Sequence, residues 1–122
     1  MAAPNIVNVS SIYGKTMGAA LGTTAGADIL SGASDKLLKI NSIIVANVDG
    51  TNAADITVEV SVDNGSNYLH IAKTVSVPAD ATLVVVDKNS QVYLDETDLL
   101  RLTASANSDL EYVISGEILD DA

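Results

Sequence analysis

Residues Ile56-Thr57-Val58-Glu59-Val60-Ser61-Val62 alternate aliphatic with polar side chains, and Asp63-Asn64-Gly65-Ser66 follow at once. Successive side chains of an extended chain point to opposite faces. The alternation therefore predicts a half-buried antiparallel strand with Ile56, Val58, Val60 and Val62 inward and Thr57, Glu59 and Ser61 outward. Asn-Gly accepts positive φ, which makes 63–66 a hairpin turn and predicts a returning strand over 68–75. In that strand Leu69, Ile71 and Val75 share one parity, and Tyr68, His70 and Ala72 the other.

The same reading extends along the chain. Residues 36–48 carry Leu38, Ile40, Ile44, Ala46 and Val48 on one parity, which predicts a long central strand with Ile44 in the core and a bend near Asn41 and Ser42. Residues 5–13, 82–86, 91–94, 99–106 and 110–118 read as further strands; in the last, Leu110, Tyr112, Ile114 and Ile118 face together. The stretch 14–33 is dominated by Gly, Ala, Thr and Ser, and is expected to hold one or two short strands and loops. Some eight or nine strands at intervals of about 8–12 residues predict an all-β, single-domain antiparallel β-sandwich, a jelly roll being one such arrangement. One domain over 1–122 is expected, with an extended N-terminal segment over 1–15 and a loose acidic tail over 119–122.

Composition supports strands and narrows the chemistry. Hydrophobic residues make up 48% of the 122, yet there is no Phe or Trp and only four Tyr, so the core is aliphatic. β-branched side chains favour pleated surfaces over helices. Sixteen acidic against six basic residues give a net charge of -10, and the basic ones are scattered. Nucleic acid and acidic membrane surfaces are therefore not expected partners. The absence of cysteine removes disulfides and thiolate chemistry. Residues 1–7 lack the basic and apolar regions of a secretory signal, and no apolar run approaches the ~20 residues of a membrane-spanning helix. The expectation is a chain that begins as a cytoplasmic product.

No catalytic constellation stands out, and the expectation is that the protein is not an enzyme. His70 is the only histidine; no Gly-x-Ser-x-Gly elbow accompanies it, and it reads as a partly exposed sheet residue. One histidine without cysteine cannot make a zinc site of the usual kind. Calcium is the metal to weigh, because Asn47, Asp49, Asn52 and Asp55 cluster around one turn and Asp63, Asn64, Ser66 and Asn67 around another. Gly50 comes too early for an EF-hand and no Glu closes the loop, so these residues read as turn formers and no cofactor is expected. Asp95, Glu96 and Asp98 read as a solvated turn.

The opening Met-Ala-Ala-Pro-Asn-Ile-Val-Asn-Val-Ser-Ser-Ile-Tyr-Gly-Lys-Thr, the central Leu-Lys-Ile-Asn-Ser-Ile-Ile-Val-Ala-Asn-Val-Asp-Gly-Thr-Asn-Ala-Ala-Asp and the later Val-Pro-Ala-Asp-Ala-Thr-Leu-Val-Val-Val resemble small virion structural proteins of tailed bacteriophages that infect marine cyanobacteria. The resemblance implies a particle component, with capsid decoration by protein packing as the leading role and a receptor- or glycan-binding tail, neck or fibre module as the alternative. It implies a virion location and other virion proteins, such as the major capsid protein, as partners. Closed homo-oligomers are usual for such parts, and a trimer is the expectation for a capsid-surface sandwich. The candidate contacts with a neighbouring copy or the capsid are Ile6, Val7, Val9, Ile12, Tyr13, Met17 and Leu21.

Overall fold

The computed structural model describes residues 10–23, 28–31 and 34–120. Among these the chain forms nine strands and no helix: β1 (Ser11–Ala20), β2 (Asp28–Ser31), β3 (Lys36–Asn47), β4 (Ala54–Ser61), β5 (Leu69–Val77), β6 (Thr82–Val86), β7 (Val92–Leu94), β8 (Leu99–Ala104) and β9 (Leu110–Asp120). No helix among them is long and apolar enough to cross a membrane.

All strand pairings are antiparallel, and the strands form two sheets. The first, sheet A, runs β1-β9-β3-β6, with β7 also on β3; the second, sheet B, runs β2-β8-β4-β5. β7 pairs with residues 38–40 of β3 and β6 with residues 43–46, so these two short strands make one interrupted edge. Counted as a single strand, they leave eight in chain order, and the sheets then read 1-8-3-6 and 2-7-4-5. This is the strand order of a jelly roll, with two sheets enclosing one core.

The core is the shared inner face. β4 and β8 pair without a register slip, so Ile56, Val58, Leu100, Leu102 and Ala104 stay in phase and are buried together. β9 supplies Leu110 and Ile114 from the facing sheet, with Tyr112 and Ile118 packed at the margin. These alternations follow the sequence reading except at the end of β4, where the chain turns away into 62–66 and leaves Val62 exposed and Ser61 buried.

β3 departs from it. Ile40 opposes Gly116 while Ser42 opposes Ser115, so one extra residue, Asn41, is inserted into β3 as a bulge. Beyond it the inward parity changes from even to odd. Ile43 and Val45 are fully buried, and Ile44, Ala46 and Val48 face outward. The expected bend is present, and it removes Ile44 from the core because each inserted residue turns the following side chains over.

β5 also breaks phase. Its pairing with β4 slips twice, between Ile56 and Val58 and again between Val58 and Glu59, and Thr74 adopts φ 46°. Leu69 opposes Val60 and Val75 opposes Ile56, so both stay on the expected side, but at this sheet edge they are exposed, while Val77 is buried. At the other end of the sandwich, β1 continues through Gly14 and Gly18, where alternation is least evident in the sequence. A Cβ on Gly18 would lie 2.6 Å from the Tyr112 carbonyl oxygen, so close approach to β9 needs glycine here. The proposed strand over residues 5–9 lies outside the described residues.

Buried Asn47 ties the end of β3 to the next loop. Its Nδ2 donates to the carbonyl oxygens of Asn52 and Val77, both at 2.9 Å, and its Oδ1 accepts from the Asp49 amide at 2.8 Å. Every polar atom of this amide thereby has a partner, as burial requires.

Candidate interaction surfaces

Cross-strand register determines what sheet A presents to the outside. Val113 of β9 opposes Ile44 of β3, and Ile44 in turn opposes Val84 of β6, making an aliphatic row across three strands. Val84 is 57% exposed and Val113 37%. The neighbouring row is Thr16, Ser115 and Ser42, with the Thr16 and Ser115 hydroxyls 3.2 Å apart. On β1 the outward residues Gly14, Thr16, Gly18 and Ala20 are all small. They leave a depression of about 270 Å³ bordered by Gly18, Ala19, Ala20, Glu111, Tyr112 and Val113.

An ion pair lies on this face. Lys39 Nζ lies 3.7 Å from Glu117 Oε1, which also accepts from Asn41 Nδ2 at 3.2 Å; Gln91 Nε2 donates to Asn41 Oδ1. At the end of the face Ile12 opposes Leu119, which opposes Leu37. Leu37 and Leu119 are buried although they stand outside the central core cluster.

The candidate contacts divide between these settings. Ile12 and Tyr13 are 54% and 43% exposed and are open to a partner. Met17 packs partly against the core, and Leu21 is buried in it at 3% exposure. Leu21 is thus a core residue and not a contact, because the chain after β1 folds over the end of the sandwich: Leu21 exchanges backbone hydrogen bonds with Leu110 and Ser108. Ile6, Val7 and Val9 lie outside the described residues.

Sheet B has a different outer face. Register places Glu59 between His70 of β5 and Arg101 of β8. Arg101 donates from Nε to Glu59 Oε1 at 2.9 Å and from Nη2 to Oε2 at 3.3 Å, while its guanidinium lies 3.5 Å from the Tyr68 ring centre. His70 Nε2 is 3.4 Å from Glu59 Oε2. The lone histidine therefore meets an acid, but one already held by a two-pronged arginine on an open sheet.

Hydrogen bonding from Arg101 is the largest influence on the Glu59 carboxyl and holds it below its ordinary value. Burial opposes this, and the positive charges of Arg101, His70 and Lys73 add to the lowering. A carboxyl with a folded pKa below its unfolded one gives stability that is complete above the unfolded value and disappears as pH falls through the folded one. Glu59→Gln is expected to lose about 1–2 kcal/mol at neutral pH. Urea denaturation of both proteins at pH 7 and pH 3 measures this: the gap should close in acid, and a gap independent of pH would contradict the assignment.

The two turns weighed for calcium use their carboxylates as backbone caps. Asp49 Oδ1 accepts from the amides of Thr51 and Asn52, and Oδ2 from Asn52 Nδ2. Asp63 Oδ1 accepts from the Ser61 hydroxyl and the Asn67 amide, and Oδ2 from Asn67 Nδ2. These bonds hold both carboxyls below their ordinary value, led by the Thr51 amide at Asp49 and the Asn67 side chain at Asp63. Among the described residues, no three His, Asp or Glu side chains converge as a ligand set.

Sequence reading missed the Glu59 cluster and the aliphatic row. Outward parity of Glu59 was a usable signal for the cluster, but its partners become visible only with the register of three strands. No family model matches this chain, and no curated protein matches its sequence.

Proposed function

We propose that this chain is a structural protein of a tailed-phage particle, acting as a capsid decoration protein that packs against capsid protein through the outer face of sheet A. The Val113, Ile44 and Val84 row carries the reading: adjacent aliphatic side chains lie on a sheet face whose neighbours are small, on a chain of net charge -10. A row of adjacent aliphatic side chains across three strands, with the depression at Gly18 and Ala20 beside it, offers extended area to another protein surface. The resemblance to phage virion proteins supports the same role. Jelly rolls serve both viral shells and lectins, so the fold by itself does not choose between decoration and receptor binding.

Immunogold labelling of intact phage particles with antibody to this chain is the test. Label distributed over the head is expected. Label confined to tail, neck or fibre would replace decoration with the receptor-binding alternative, and particles without label would overturn the virion role.

A further inference from the structure

Among the described residues the two sheets have four edges, and three are poorly suited to receive another strand. β5 slips twice and carries the positive-φ Thr74; β2 has four residues and a slip between Asp28 and Leu30; β6 and β7 divide the fourth edge between them. Breaks and short lengths of this kind protect sheets from edge-to-edge association. β1 has neither. It runs ten residues in unbroken register, from Ser11 opposite Asp120 to Ala20 opposite Glu111, and among the described residues it pairs only with β9.

Its charge and shape identify the occupant. Lys15 is the only charged side chain between Ser10 and Thr23, whereas the whole chain carries -10. Two copies can therefore meet along this edge without setting β1 carboxylates against each other. The strand is also graded in size, with Ile12 and Tyr13 at its start and Ala19 and Ala20 at its end. Antiparallel pairing with itself sets large residues against small ones.

We propose that two copies of this chain join antiparallel through β1, about a two-fold axis at Thr16. In a two-fold pairing that keeps the sheet faces continuous, the central residue opposes its own copy, and the middle of β1 offers Lys15 or Thr16. A Lys15 centre places two ammonium groups face to face, which is destabilising; a Thr16 centre pairs two hydroxyls. Lys15 then lies opposite the partner's Met17, Gly14 opposite the partner's Gly18, Tyr13 opposite the partner's Ala19 and Ile12 opposite the partner's Ala20. The exposed Ile12 enters beside the depression at Gly18 and Ala20. The contact is isologous, and it makes one sheet continuous through both copies. It replaces the expected three-fold association and stands whether or not the protein belongs to a particle.

Sedimentation equilibrium and disulfide trapping test the pairing. The natural chain should sediment at twice its 12.5 kDa mass. The chain has no cysteine, and opposed Cβ atoms lie about 4.5–5.5 Å apart. Under mild oxidation Thr16→Cys should therefore form a covalent dimer, and Ser11→Cys should not. Ala20→Glu and Tyr13→Glu, both at exposed positions, should weaken association by about tenfold or more while keeping the β circular-dichroism spectrum. Dimeric mass, selective Thr16→Cys trapping and dissociation by at least one folded glutamate variant together support the pairing. A monomer, a trimer, or any dimer that fails either of the other two criteria overturns it.

Discussion

Gly116→Ala is expected to cost about 3–4 kcal/mol, enough to leave a domain of this size largely unfolded on mild heating. Gly116 is buried on β9 opposite the bulge in β3, and an added Cβ would run into the Lys39 carbonyl oxygen. It would also stand 3.1 Å from the Lys39 carbonyl carbon and 3.2 Å from Ile40 Cα. All three atoms are backbone, so no side-chain rotation relieves the overlap; either the bulge or the β3–β9 ladder has to move. Gly14→Ala is the matched control. Its added Cβ would meet only the Gly116 carbonyl oxygen, at 3.9 Å, and stability should change by no more than about 0.5 kcal/mol. Urea denaturation of the two variants measures the contrast, and equal stability would show that the bulge does not confine position 116.

The second large effect separates two adjacent isoleucines. Ile43→Asp should yield no soluble folded protein, because it places a carboxylate in a fully buried aliphatic site; Val58→Asp should behave alike. Ile44→Asp should fold, losing about 1 kcal/mol of cross-strand packing with Val84 and Val113. Soluble yield and thermal melting distinguish the outcomes. The folded Ile44→Asp protein also bears on the proposed function, since it should no longer bind capsids. If Ile44→Asp unfolded and Ile43→Asp did not, the parity assigned beyond Asn41 would be wrong.

Strand alternation was legible where pairing is regular. Ile56 and Val58 on β4, Leu100 and Leu102 on β8, and Leu110 and Ile114 on β9 occupy the face their parity indicates, since no inserted residue disturbs them. Inserted residues have no signature of their own. Ile44 looked as apolar as Ile43, and only the opposing β9 register places one outside and the other within. Leu69 and Val75 keep their expected side opposite Val60 and Ile56, and their exposure follows from the edge position of β5, which is set by strand order. β1 was partly hidden for another reason: its Gly18 satisfies a close approach to β9 that belongs to the partner strand rather than to local propensity.

The surfaces were less legible than the core. Ile12 and Tyr13 could be singled out as apolar residues of an early strand, but Leu21 could not be recognised as core without the turn that carries it over the sandwich. Glu59, His70 and Arg101 come from three strands and Tyr68 from the residue before β5, and their meeting is a property of register.

Asn41 also ties together the histories of two distant positions. Removing it would leave Leu38, Ile40, Ile43 and Val45 on the inner side in simple alternation, so the core does not require the extra residue. With the insertion gone, the carbonyl that crowds position 116 would lose its reason to lean across, and glycine there would cease to be obligatory. A lineage therefore leaves this pair most easily by losing the residue at 41 before gaining a side chain at 116; the reverse order passes through a chain weakened by about 3–4 kcal/mol.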